Sequence, residues 1–298
     1  MRIPGLGGIP PVELGKRSVR DFADDDMPTY AAALSYHALF ALFPFLIFLV
    51  ALLGFLHIPQ FFDWLLEQAR TAMPSDAYAR LEEVIAQVEG SQPGGLLSFG
   101  IIAALWGASS GVRALMQALN RAYDVEETRA TWKQYLLSVL YTLGFAVLLI
   151  VAAALMLVGP QAIEWLAGQV GLGDAFVTVW TWLRWPVAVV LLMLTAALVY
   201  YVLPNVDQPF RLITPGAVVA VIVWIVASLG FSFYAQNFAN YNATYGSLGS
   251  VVVLLFYFYI SAMVLLLGAE INAEVYRMKK GTPVPASDDK SPEEASPQ

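Results

Sequence analysis

Apolar positions in this chain come in long unbroken runs, with neither the alternation of a half-buried strand nor the narrow stripe of a soluble helix. A bilayer core about 30 Å thick takes roughly 20 helical residues. Six stretches approach or pass that length, at about 30–56, 96–115, 135–158, 185–202, 214–238 and 248–273, and the last carries no charge between 251 and 269. Hydrocarbon leaves backbone amides and carbonyls without partners, so runs of this kind cross as helices. The pattern predicts an all-α integral membrane protein with six transmembrane helices over 29–276, an N-terminal segment over 1–28 and a tail over 277–298.

Between the runs the polar pattern is uneven. The one large hydrophilic connection, 57–95, repeats apolar residues at helical spacing, first Phe61, Phe62, Leu65, Leu66 and Ala69, then, after Pro74, Tyr78, Leu81, Val84, Ile85 and Val88. Two short amphipathic helices fit, either capping the bundle or offering an external binding surface. Residues 12–22 form a similar elbow, with Lys16, Arg17 and Arg20 placed for anionic headgroups. From Gly281 onward Pro, Ser, Asp and Glu dominate, which predicts disorder. The first apolar run is too long for a signal-peptide core and no small-x-small site follows it, so it is expected to remain as a span.

Charge orients the weave. Of the 16 Lys and Arg residues, only Arg70, Arg80 and Arg184 fall on the side of the 57–95 connection. The rest precede the first run, surround the second connection, sit in the fourth or follow the last, which by the positive-inside rule puts both termini in the cytoplasm. An even number of spans asks for the same. Composition agrees, since 58% of residues are hydrophobic and 13% charged, where a soluble domain carries about 25% charged. The net charge of −7 names no basic partner, because the acids lie in loops and tails. Without cysteine there are no disulfides or thiolate metal sites.

Polar groups inside a membrane are costly and are the first functional candidates. Tyr36 and His37 lie about two turns into the first run, where His37 either makes a packing hydrogen bond or serves as ligand or proton relay; Pro44 should kink that helix. Arg113 closes the second run at the depth where Glu270 closes the sixth. An Arg113 ion pair with Glu270 or Glu274 is therefore geometrically reasonable, either as an interfacial pair fixing helix register or as part of a gate or proton-coupled site, and Arg277 shares their helix face. With Asn272 and His37 these residues could line a cytoplasmic vestibule. At the other end Ser228, Ser232 and Gln236 form one stripe, while Tyr234, Asn237 and Tyr241 form another. Asn240, Asn242, Thr244 and Tyr245 then lead through an uncharged loop to Gly246, Ser247, Gly249 and Ser250. That loop is either a re-entrant turn whose amides and carbonyls coordinate a neutral or zwitterionic group or a tight hairpin. Ala103, Gly107 and Gly111 make a small-residue ridge for helix packing, within the chain or in a homo-oligomer.

Three segments resemble the YihY/BrkB family of bacterial inner-membrane proteins, once labelled ribonuclease BN. They are Ala31-Ala32-Ala33-Leu34-Ser35-Tyr36-His37 with Leu42-Phe43-Pro44; Trp106-Gly107-Ala108-Ser109-Ser110-Gly111 with Ala118-Leu119-Asn120-Arg121-Ala122-Tyr123; and Asn240-Tyr241-Asn242-Ala243-Thr244-Tyr245-Gly246 with Leu267-Gly268-Ala269-Glu270-Ile271-Asn272-Ala273-Glu274. The resemblance covers roughly 20–280 and implies a six-span inner-membrane protein without a settled substrate. His37 stands where the family favours an aromatic residue, which weighs against an essential histidine.

Transport of a small solute, ion or lipid past the two polar clusters is the reading expected, with a structural role in the envelope as the alternative. A metal-dependent nuclease needs clustered His and acidic ligands around an activated water. Only His37 and His57 exist, assigned to opposite halves of the membrane. No basic, aromatic-interleaved face for nucleic acid exists either, and no enzyme activity, metal or cofactor is expected.

Overall fold

The computed structural model describes residues 10–55, 66, 82, 94–157, 174–237 and 247–280. Among them seven helices run in order: α1 (Pro11–Asp24), α2 (Met27–Phe55), α3 (Gly94–Ala122), α4 (Thr131–Leu157), α5 (Asp174–Val202), α6 (Pro215–Asn237) and α7 (Ser247–Lys280). No described residue is in a strand. Five stretches, Phe99–Ala122, Thr131–Ala152, Phe176–Val202, Pro215–Tyr234 and Val251–Lys280, are long and apolar enough to cross a membrane. Helix α2 has 29 residues and continues through Pro44. The amphipathic helices expected within 57–95 lie outside the described residues, apart from Leu66 and Glu82, which are helical, and the start of α3. The tail from 281 onward lies outside them as well.

Several elements outrun the sequence expectation. The fourth run was expected to begin at 185, where Arg184 ends the apolar stretch, yet α5 begins at Asp174 and holds both Arg184 and Pro186 inside it. Arg184 sets its guanidinium over the Trp185 ring at 5.8 Å. Helix α7 continues past 273 because its next charged turn is held against the bundle, and it ends on Arg277, Lys279 and Lys280, cations that suit the negative end of a helix dipole.

Small side chains bring the helices together. Ala31, Ala118, Ala122, Ala197, Ala217, Ala269 and Ala273 are buried in the main cluster with Met27, Leu119, Tyr200, Leu203 and Leu266. Outward-facing positions are apolar instead: Phe99, Ile102 and Trp106 on α3, Leu136 and Leu140 on α4, and Val226, Leu229 and Phe233 on α6 are each more than half exposed. A surface so continuously apolar belongs against lipid.

Helices α2 and α3 pack antiparallel, and the small ridge is used there: Gly107 lies on Ala41 and Gly111 on His37. The approach of α6 to α7 is closer still. A Cβ on Gly216 would overlap the Gly268 carbonyl oxygen, and one on Gly268 would fall 2.7 Å from the Gly216 carbonyl oxygen. Trp224 Nε1 donates to Ser261 Oγ at 3.1 Å, and the Ser228 and Tyr257 hydroxyls meet at 3.1 Å. This antiparallel register brings the start of α6 and the end of α7 to one end of the bundle. Hydrogen bonds and ion pairs bring α1, the start of α2, the α3–α4 connection and the end of α5 to that same end.

Candidate functional site

The site lies at this shared end and grows from two aspartates in unusual backbone positions. Asp26, between α1 and α2, has φ 54°, and Asp124, after α3, has φ 52°, the left-handed region that Asp enters more readily than most side chains. At Asp124 the Val125 amide returns to the Asn120 carbonyl and the Asp124 amide to that of Arg121, a helix-ending pair of bonds usually built on glycine. Aspartate supplies what glycine lacks, a carboxylate beside Arg277.

Arg277 gathers the site. Its guanidinium donates to Asp21 at 2.5 Å, Asp124 at 2.6 Å, Glu274 at 3.2 Å and the Ala122 carbonyl at 3.2 Å. Arg17 reaches the other Glu274 oxygen at 3.5 Å, an ion pair without hydrogen-bond geometry. Arg121 pairs with Asp25 at 3.0 Å. Glu270, one turn before Glu274, has no exposed surface, and neither of its carboxylate oxygens finds a hydrogen-bond partner. Asp25, Arg277, Asp21 and Asp124 are the charges acting on it most strongly.

Burial pushes the Asp21 and Asp25 carboxyls above the ordinary range, only partly offset by Arg277 and Arg121 respectively. Burial also pushes the Tyr123 phenol up. Beside them a second knot locks the α3–α4 connection to the end of α5. Glu127 accepts from the Arg129 amide, Nε and NH2 and from Asn120 Nδ2. Arg129 also donates to the Leu203 carbonyl, and the Asn205 amide to Asn120 Oδ1. Although burial opposes it, the Arg129 bonds hold the Glu127 carboxyl below its ordinary value.

The expected residues divide. Glu270, Glu274 and Asn272 share this end, but Asn272 is a latch between helices: its Oδ1 accepts from the Gly216 amide at 2.9 Å and its Nδ2 donates to Thr214 Oγ1 at 3.0 Å. The Arg113 ion pair with Glu270 or Glu274 does not form. Arg113 turns toward α4 instead, donating to Ser109 and Ser138 and lying 4.2 Å from the Tyr135 ring centroid and 5.9 Å from that of Trp106. Equal depth was legible from the sequence; the facing direction was not.

His37 lies 3.1 Å from Ser110 Oγ. Since that hydroxyl gives its one proton to the Gly107 carbonyl at 2.6 Å, His37 Nδ1 is the donor, and the contact packs α2 on α3. Tyr36 is mostly exposed beside Phe40. Asn237 ends α6. Asn240, Tyr241, Asn242 and Tyr245 lie outside the described residues.

Sequence reasoning missed Asp21, Asp25 and Asp124. Their only signal was acidic residues beside helix ends that also carry Arg17, Arg20 and Arg121. Among the described residues no three His, Asp or Glu side chains come together in a way that could hold a metal ion.

A family model described as virulence factor BrkB matches residues 18–293. A Bacillus subtilis (strain 168) protein named as the ribonuclease-like protein YfkH is 41% identical over 250 residues, covering 84% of this chain and 90% of the relative. A UPF0761 membrane protein of Xanthomonas axonopodis pv. citri is 28% identical over 275 residues, and one of Stenotrophomonas maltophilia 26% over 272. Each alignment covers 89% of this chain and 61% of the longer relative. No solved structure matches.

Proposed function

Given that the chain belongs to the virulence factor BrkB family, we propose that it is a transporter of a small solute, ion or lipid in a bacterial plasma membrane. In this reading α2 supplies a sixth span and the ion-paired end faces the cytoplasm. The observation that carries it is Glu270. A helix that needed only to pack would be better served there by leucine, since a buried carboxyl group without a hydrogen-bond partner costs about 1–3 kcal/mol even when it is uncharged. A group kept at such a cost calls for a guest, and Glu270 stands one turn inside the network that joins α1, α3 and α7.

The test is flux into vesicles reconstituted with the chain, read for protons, for labelled monovalent cations and for fluorescent phospholipid. Wild type should move at least one of these well above empty vesicles, and Glu270→Gln should lower that flux about tenfold or more. No flux of any kind, or equal flux in Glu270→Gln, overturns the reading.

A structural role is the second reading, favoured by the way Asn272, Arg113 and Arg277 spend their donors on joining helices. It predicts that cells tolerate Glu270→Gln. The nuclease name of the Bacillus relative is not carried over, because His37 is committed to Ser110 and Arg113 to hydroxyls and aromatic rings. Purified chain should leave single-stranded RNA intact in the presence of magnesium or manganese.

A further inference from the structure

A cavity of about 120 Å³ opens beside the network, between the ends of α5 and α7 and the start of α6. That is room for roughly four waters at about 30 Å³ each, or for one small anionic group. Arg211 and Lys279 line it, together with Tyr201, Gln208, Thr214 and Tyr276, and among the described residues no carboxylate does. The two cations act on each other, and among the described residues neither has an ion-pair partner. Of the other cations at this end, Arg17, Arg20, Arg121, Arg129 and Arg277 each meet a carboxylate, whereas Lys16, Lys133 and Lys280 do not line this cavity.

A chain of net charge −7 has acids to spare, yet among the described residues none lines this hollow. Both cations are solvent-exposed, which screens their repulsion, and an anion lodged between them would relieve what remains. Guanidinium and ammonium groups flanked by hydroxyl and amide donors are the chemistry that takes a phosphate. The floor is rigid, because Asn272 ties Thr214 to Gly216 and Gln208 Nε2 donates to the Tyr200 carbonyl at 2.7 Å. We infer that this cavity binds a phosphate group, with Arg211 and Lys279 as its charged ligands. The inference stands on the cavity alone and does not require transport.

A lipid headgroup and a soluble phosphate offer the same chemistry, so two arms separate them. In one, the full chain is taken from bicelles of phosphatidylcholine doped with phosphatidic acid, and retained lipid is counted by native mass spectrometry. In the other, equilibrium dialysis measures ³²P-labelled inorganic phosphate. Selective retention of phosphatidic acid assigns the site to a headgroup; saturable retention of inorganic phosphate assigns it to a soluble ester. In either case Arg211→Gln with Lys279→Gln should weaken retention about tenfold or more. The charge-keeping Arg211→Lys with Lys279→Arg should retain most of it, as should Lys16→Gln with Lys133→Gln, which removes two cations away from the cavity. The inference falls if wild type retains neither probe, or if all variants retain both equally.

Discussion

Arg277 sits where three carboxylates and a carbonyl converge, so its removal does more than delete one contact. Arg277→Gln leaves Glu274, Asp21 and Asp124 without their shared cation, and breaking a buried pair from one side costs about 3–5 kcal/mol. Unfolding in mixed micelles should show that loss, whereas Arg20→Gln, which breaks the exposed pair with Asp24, should cost less than about 1 kcal/mol.

The carboxyls of this end also predict opposite pH behaviour. Glu127 has a depressed value, so its stabilisation is present above the unfolded carboxylate range and fades as pH falls through the folded value. Glu127→Gln should therefore cost about 1–3 kcal/mol near neutrality and progressively less in acid. Asp25 has a raised value, so its contribution is fully present below the unfolded value and is lost as pH rises through the folded one. The stability of Asp25→Asn relative to wild type should improve from about pH 4 to pH 7. Unfolding midpoints of both variants across that range check the signs, and parallel pH profiles for the two would contradict them.

Among the elements, the α6–α7 contact depends on two glycines more than on any apolar side chain. Gly216→Ala and Gly268→Ala each put a methyl into opposing backbone or the Tyr200 hydroxyl, and neither neighbour can yield without separating the helices. Each should abolish recovery of folded chain from detergent. Gly144→Ala, with nothing near its Cβ, should be neutral or slightly stabilising by helix propensity.

Helix existence was legible in the sequence because long uncharged runs leave hydrocarbon few alternatives. Helix ends were less so. Arg184 and the Glu270–Arg277 turn looked like boundaries, yet the first finds an aromatic face and the second a set of carboxylates supplied by α1 and the α3–α4 connection. Partner choice is a matter of rotation about the helix axis, which composition and depth do not specify. For that reason the shared end of Glu270 and Glu274 was legible while the direction of Arg113 was not. The ridge of Gly107 and Gly111 was read correctly as a packing surface, and α2 occupies it.

Taken whole, the described helices form a bundle with outward-facing apolar residues and an ion-paired knot at one end. The knot holds α1, α3, the end of α5 and α7 together, while Asn272 ties the start of α6 to α7 beside it. The transport reading acquires its meaning from one claim, that the knotted end is cytoplasmic and the chain passes through the bilayer an even number of times.

The absence of cysteine makes that claim directly measurable, because each introduced thiol is the sole target of a maleimide. Lys16→Cys, Lys280→Cys and Gln92→Cys are expressed separately and treated with a membrane-impermeant maleimide in cells whose inner membrane is intact. Positions 16 and 280 should stay unlabelled until that membrane is permeabilised, while position 92 should react at once. Labelling of position 16 or 280 in intact cells, or protection of position 92, would contradict the account.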